Sequence, residues 1–278
     1  MSKSDMSKSD IGEKTALRLC RNVAQAVKDA IEPLVGEEEG ARKLYMGADG
    51  TPTHKIDDVA ERGAFEEFQT WEFPVRVISE EAGERRFGDS PEFTVLLDPV
   101  DGTTNAIEGI PFYTVSIGIG DRILSDIWFG YVYDLAHDVE YYAFMGGGAY
   151  AVRKSTEIPI NVSTVADLDL SDLSLYGFSQ RPLEISNLAK RAKRLRIFGC
   201  SSLEMCYVGA GRLDGFVDVR GYLRMMDIGG AYLIVKEAGG VVTDEEGREH
   251  QGVFNVKAKV NMIASNPFIH HQIIEMLG

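Results

Sequence analysis

The sequence predicts a mixed α/β fold, and three observations carry that prediction. Stretches with apolar residues at helical spacing alternate with short β-rich runs along the whole chain. Three such runs, 113–120, 126–133 and 140–144, follow one another as successive strands and close on Gly146-Gly147-Gly148. At 278 residues with 44% hydrophobic side chains, the chain is long enough for one large domain or two closely packed halves.

Taken in order, residues 1–10 repeat Met-Ser-Lys-Ser-Asp and read as a disordered leader outside the fold. Residues 11–34 place Ala16, Leu19, Val23, Ala26, Val27 and Ala30 at helical spacing, an amphipathic helix that ends near Pro33. Residues 47–54 are turn-rich and lead into a second helix over 56–68, with Asp57 in its first turn. A short strand over 75–78 ends in Ser79-Glu80-Glu81, and 84–91 reads as a polar, mobile loop. Val95, Leu96 and Leu97 form a buried strand that is expected to stop at Asp98-Pro99. From about 152 a second half begins, so the expected division is 11–151 and 152–278. It holds strand-like runs at 173–178 and 195–198 with a basic helix over 183–194 between them, and a helix opening at 199–204. A strand at 216–219, a helix over 226–239 closed by Gly239, strands at 241–243 and 261–264 and a last helix from Pro267 complete it.

Composition narrows the function. A formal net charge of -14 disfavours a nucleic-acid backbone or an anionic membrane surface as the main partner. Cys20, Cys200 and Cys206 lack metal-ligand spacing and cannot all pair, which points to reduced thiols in a cytoplasmic compartment. No apolar run approaches membrane-spanning length.

Chemistry concentrates in Phe93-Thr-Val-Leu-Leu-Asp-Pro-Val-Asp-Gly-Thr-Thr-Asn105. Asp98 and Asp101 flank a proline-stiffened turn, with the Val100 carbonyl as a third oxygen between them. Hard cations such as Mg²⁺ take such oxygen clusters. The N–H groups of Gly102, Thr103 and Thr104 follow at an expected helix start, where they would face an anion. The plain alternative is a capped turn, since Asp-Pro, Asp-Gly and Thr are ordinary turn and cap formers. The same alternative holds for Asp57 and Asp227 as helix caps, and for Glu80-Glu81 as a surface pair.

Asp98 to Thr103 resemble the Asp-Pro-(aliphatic)-Asp-Gly-(Thr/Ser) signature of the inositol monophosphatase family, which includes the archaeal-type fructose-1,6-bisphosphatases. Asp227-(x)5-Leu-Ile-Val-x-Glu-Ala-Gly-Gly240 resembles its second signature, with Met226 where Trp is usual. The Thr-rich approach to Asp57 and the Glu80-Glu81 pair stand in the matching order. The resemblance implies a five-layer αβαβα sandwich, an antiparallel sheet behind the metal site, and a homodimer. It implies two or three Mg²⁺ held by Glu80, Asp98, Val100, Asp101 and Asp227. It assigns Asp57 with Thr103 to the attacking water and Glu81 to its positioning. Substrate contacts fall on Asp101, Gly102, Thr103, Ser201, Asp227 and two arginines, Arg196 and Arg220. Those arginines occupy places seen in archaeal members. They point to a phosphomonoesterase for fructose 1,6-bisphosphate and inositol 1-phosphate, with an inositol phosphatase alone or a 3′-phosphoadenosine-type nucleotidase as alternatives.

Overall fold

Helical period and sheet register sort the chain into five layers. The computed structural model describes residues 12–91 and 93–278, so the expected leader lies outside the described residues. The first half contains helices α1 (Glu13–Ile31), α2 (Lys55–Phe68) and α3 (Thr103–Ile107). Its strands are β1 (Lys43–Met46), β2 (Pro52–His54), β3 (Val75–Ser79), β4 (Gly83–Phe87), β5 (Phe93–Asp101) and β6 (Thr114–Gly120). They continue with β7 (Phe129–Asp134), β8 (Val139–Phe144), β9 (Gly148–Arg153) and β10 (Thr156–Ile160). The second half contains β11 (Asp172–Tyr176), α4 (Pro182–Arg191), β12 (Arg194–Arg196), α5 (Ser201–Gly209) and β13 (Gly215–Arg224). It ends with α6 (Met225–Glu237), β14 (Val241–Thr243), β15 (Lys259–Ser265) and α7 (His270–Leu277).

Strands β3 to β10 form one eight-stranded sheet in the order β10-β9-β8-β7-β6-β5-β3-β4, antiparallel except where β3 runs parallel to β5. A five-stranded sheet follows the order β12-β11-β13-β15-β14. Helices α1 and α2 cover the outer face of the first sheet, α5 and α6 lie between the sheets, and α4 and α7 cover the second. This is the αβαβα arrangement. Helix α6 is buried continuously from Met225 to Val235, as a helix sandwiched between two sheets must be.

Three segments depart from expectation. Residues 84–91 begin as strand β4, one of the two edge strands of the eight. Its charged Glu84, Arg85 and Arg86 protect an open edge rather than marking a loop. Strand β5 does not stop at Asp98-Pro99 but runs on to Asp101, buried throughout. Proline lacks a ladder N–H, and its pairing with β6 accordingly shifts register between Asp98 and Asp101. The first sheet also continues through Ile160, past residue 152, because β9 and β10 extend the same antiparallel ladder. The turn-rich 47–54 region is half of a small hairpin, β1 against β2.

Candidate active site

The irregularity in β5 builds the site. It leaves Val100 N–H free of the ladder to donate to Asp98 Oδ1 at 3.0 Å, which fixes that carboxylate at the register shift within the strand. Glu80 follows the last residue of β3, whose Ser79 pairs with Leu97, so Glu80 sits beside Asp98. Asp227 enters from the first turn of α6, where its Oδ2 accepts from Arg224 N–H at 3.1 Å. One oxygen from each of Glu80, Asp98 and Asp227 lies within 4.8 Å of the others.

Three buried carboxylates this close repel one another. Burial, and then the Asp98 charge, push Glu80 well above the ordinary carboxylate range; burial, and then Asp101, do the same to Asp98. Asp98 Oδ2 is buried with no hydrogen-bond partner among the described residues. An all-oxygen donor set with an unpartnered inward oxygen fits a hard divalent cation.

Asp101 stands outside that trio. Its Oδ2 accepts from Ser202 N–H and Ser202 Oγ, both at 2.6 Å, and from Cys200 Sγ at 3.3 Å, so the start of α5 holds it. Burial and the Asp227 charge push it up to about 6. The Val100 carbonyl accepts from Thr103 Oγ1 at 3.0 Å.

Thr103 Oγ1 also lies 2.9 Å from Asp57 Oδ1, and its single proton can serve only one of the two acceptors at a time. Asp57 Oδ2 accepts from His54 N–H at 3.1 Å, with burial raising the carboxyl above its usual range. Glu81 accepts from Thr53 Oγ1, and its own N–H donates to Glu61 Oε1 at 3.2 Å. Burial pushes Glu81 up to about 7.

A cleft of about 250 Å³ opens beside these groups, lined by Val100, Asp101, the Gly102–Thr104 turn, Tyr176, Gly199, Ser201, Arg220, Arg224 and Asp227. Arg220 is held in place there: its Nε and Nη2 donate to Asp218 at 3.0 and 2.6 Å, and its guanidinium stacks 4.5 Å above the Tyr176 ring. Arg196 is not part of this lining; it lies on edge strand β12, where Nη1 donates to the Leu195 carbonyl at 2.9 Å.

Two charged residues at the site were not singled out from the sequence. Arg224 pairs with Asp49 at 2.7 Å, Glu80 at 2.6 Å and Asp227 at 2.9 Å. The available signal was its position, one helical turn before a candidate ligand in a strongly acidic chain. Asp49, in the β1–β2 turn, carried no signal beyond its turn chemistry. The turn docks through Ala48 N–H to the Glu81 carbonyl at 2.9 Å and Asp49 N–H to the Glu80 carbonyl at 3.1 Å.

Among the described residues no helix is long and apolar enough to cross a membrane. The three cysteines are free and buried.

Residues 10–277 match the model of the inositol monophosphatase family. A fructose-1,6-bisphosphatase/inositol-1-monophosphatase of Methanothermobacter thermautotrophicus is 38% identical, over 92% of this chain and 94% of its own length. A bifunctional NADP phosphatase/NAD kinase of Methanococcus maripaludis is 36% identical over 94% of this chain, but the match spans only 49% of that larger protein. Among solved structures, a Pyrococcus horikoshii protein with similarities to inositol-1 monophosphatase superposes with a TM-score of 0.81. It is 29% identical, with 96% of this chain and 98% of that one covered.

Proposed function

We propose, for a chain that belongs to the inositol monophosphatase family, metal-dependent hydrolysis of phosphomonoesters, with inositol 1-phosphate and the 1-phosphate of fructose 1,6-bisphosphate as substrates. The observation that carries this reading is the convergence of the Glu80, Asp98 and Asp227 oxygens beside the hydrogen-bonded Thr103–Asp57 pair. Glu80, Asp98 and Asp227, with Asp101 and the Val100 carbonyl around them, would hold Mg²⁺. When bound it supplies neutralisation of the phosphate, acidification of a water and stabilisation of the leaving alkoxide.

The chain's own groups divide the remaining tasks. Thr103 Oγ1 donates to Asp57, which leaves its lone pairs to accept from a water, so the pair orients that water and passes its proton to the carboxylate. Glu81, fixed by Thr53 and by Glu61, positions the water. The N–H groups of Gly102 to Thr104 are the donors for phosphoryl oxygens. Ser201 and Arg220 form the wall against which the rest of the ester packs, and Arg220 is the cation available to a second phosphate. Two copies of the chain in a cytoplasmic homodimer complete the proposal.

A second reading has one observation in its favour. The 36% identity to a bifunctional NADP phosphatase/NAD kinase makes a nucleotide phosphomonoester a substrate to test. The experiment is Mg²⁺-dependent phosphate release from inositol 1-phosphate, fructose 1,6-bisphosphate and NADP side by side, with Asp101→Asn as control. Turnover of the first two supports the proposal. Turnover of NADP alone replaces it with the nucleotide reading, and release unaffected by metal removal overturns both.

A further inference from the structure

One cation in the cleft has no task in the reaction proposed above. Arg224 uses Nε, Nη1 and Nη2 on three different carboxylates: Asp227, Asp49 and Glu80. The arrangement is internal rather than a surface pairing. The Arg224 side chain is 20% exposed, and those of Asp49, Glu80 and Asp227 are 0%, 11% and 10% exposed. Two of its three partners belong to the trio whose oxygens converge within 4.8 Å. The other guanidinium lining the cleft, Arg220, is held by Asp218.

A purely structural arginine would need only Asp49 to tie the β1–β2 turn down, and that turn already has two backbone hydrogen bonds to the Glu80–Glu81 segment. The contacts with Glu80 and Asp227 place positive charge where those carboxylates would otherwise repel each other without relief. A divalent ion needs lone pairs on the same carboxylates, and a guanidinium held beside it would repel it. The two cations cannot both be fully engaged.

We infer that Arg224 is a tethered counter-cation that competes with the metal for Glu80 and Asp227. Metal entry releases the guanidinium from both ligands, while Asp49 retains it at the edge of the cleft. The tether holds the metal-free site together and sets the metal affinity lower than the carboxylates alone would give. This rests on reading the acidic trio as a metal centre.

The test is calorimetric titration of Mg²⁺ and Mn²⁺ into chelator-stripped protein, with circular dichroism to verify the fold. Arg224→Met removes the competitor and binds metal about tenfold more tightly or better, within the usual span of coupling between sites. Its metal-free melting temperature falls, and metal raises that temperature by more than in the unsubstituted chain. Arg224→Lys, whose ammonium cannot span three carboxylates, falls between the two. Asp49→Asn spares the contacts to both ligands and changes metal affinity less than Arg224→Met. Equal or weaker metal binding by folded Arg224→Met overturns the inference. If that variant does not fold without metal, Arg224→Lys decides: tighter binding supports competition and unchanged or weaker binding refutes it. An unsubstituted chain that binds neither metal overturns the metal-centre reading itself, and the inference with it.

Discussion

Replacing Gly118 with alanine tests whether the packing of α6 sets the geometry of the site. Gly118 on β6 faces Gly229 on α6, and a Cβ added at Gly118 would lie 2.7 Å from the Gly229 carbonyl carbon, 2.8 Å from its oxygen and 3.0 Å from its Cα. All three are backbone atoms, so no flexible side chain can give way. Carbon atoms in contact sit about 3.5–4.0 Å apart, so helix and sheet must separate by roughly 1 Å, the shortfall from that spacing. Alanine in a strand interior is intrinsically better than glycine by about 0.5–1 kcal/mol. Overpacking of this kind costs about 1–3 kcal/mol. Steric opposition wins, with a net destabilisation of about 1–2 kcal/mol. Because α6 carries Asp227 towards Asp98, the same displacement opens the acidic trio, and a 1 Å misplacement can cost about 100-fold in rate. Urea unfolding followed by circular dichroism reads the first effect, and phosphate release at saturating Mg²⁺ reads the second. An unchanged unfolding midpoint would refute the backbone contact. A lowered midpoint with an unchanged rate would refute the link from packing to catalysis.

Two other substitutions probe separate parts of the argument. Thr103→Val keeps the shape but removes the hydroxyl that bonds Asp57; turnover should fall by about 100-fold or more with little change in KM, and Thr103→Ser should restore much of it. Initial-rate kinetics on inositol 1-phosphate with all three proteins would decide this, and a Thr103→Val enzyme of normal turnover would remove the pair from the mechanism. Glu204, fully buried under Ser174 and Tyr176, is pushed up to about 7 by burial, against an ordinary value of 4.5. A carboxyl whose pKa rises on folding contributes stability that is complete below the unfolded value and is lost as pH climbs through the folded one. Between pH 4.5 and 7 this is about 3 kcal/mol from the one group. Glu204→Gln should therefore show a flatter decline in urea midpoint from pH 5 to pH 8 than the unsubstituted chain, and equal slopes would place the titration elsewhere.

The elements legible in the sequence are those whose period is set locally. Helix α1 shows its buried stripe from Ala16 to Ile31 because only one face meets the sheet. Strand β4 was not legible, because Glu84, Arg85 and Arg86 are charged for the sake of an open edge, and an edge strand has the composition of a loop. The continuation of β5 past Pro99 was equally hidden: proline there argues for a stop unless the register shift that accommodates it is known. Helix α6 announced its start at Asp227 and its end at Gly239. Nothing in its sequence told that Gly229 and Gly230 bring it onto the backbone of β6 and β7.

The candidate acids were visible for a different reason: four of the five, Asp57, Glu80, Asp101 and Asp227, stand where an element begins or ends, and element ends are where sites are built. What the sequence could not do was sort them, since five carboxylates look alike until their donors are known. Asp57 and Asp101 each have donors supplied by their surroundings, from Thr103 and His54 in one case and from Ser202 and Cys200 in the other. Those bonds fix the orientation of both carboxylates. Glu80 and Asp227 share one guanidinium, with Asp227 also accepting the Arg224 backbone N–H, and Asp98 keeps an oxygen with no partner among the described residues. Carboxylates left in that condition inside a protein need a cation. The residue that meets part of the need, Arg224, finds its third partner 175 positions away in Asp49. A separation of that length is set by how the start of α6 and the β1–β2 turn meet beside the Glu80–Glu81 segment. Which donors and which cation each carboxylate meets is therefore a property of the assembled layers.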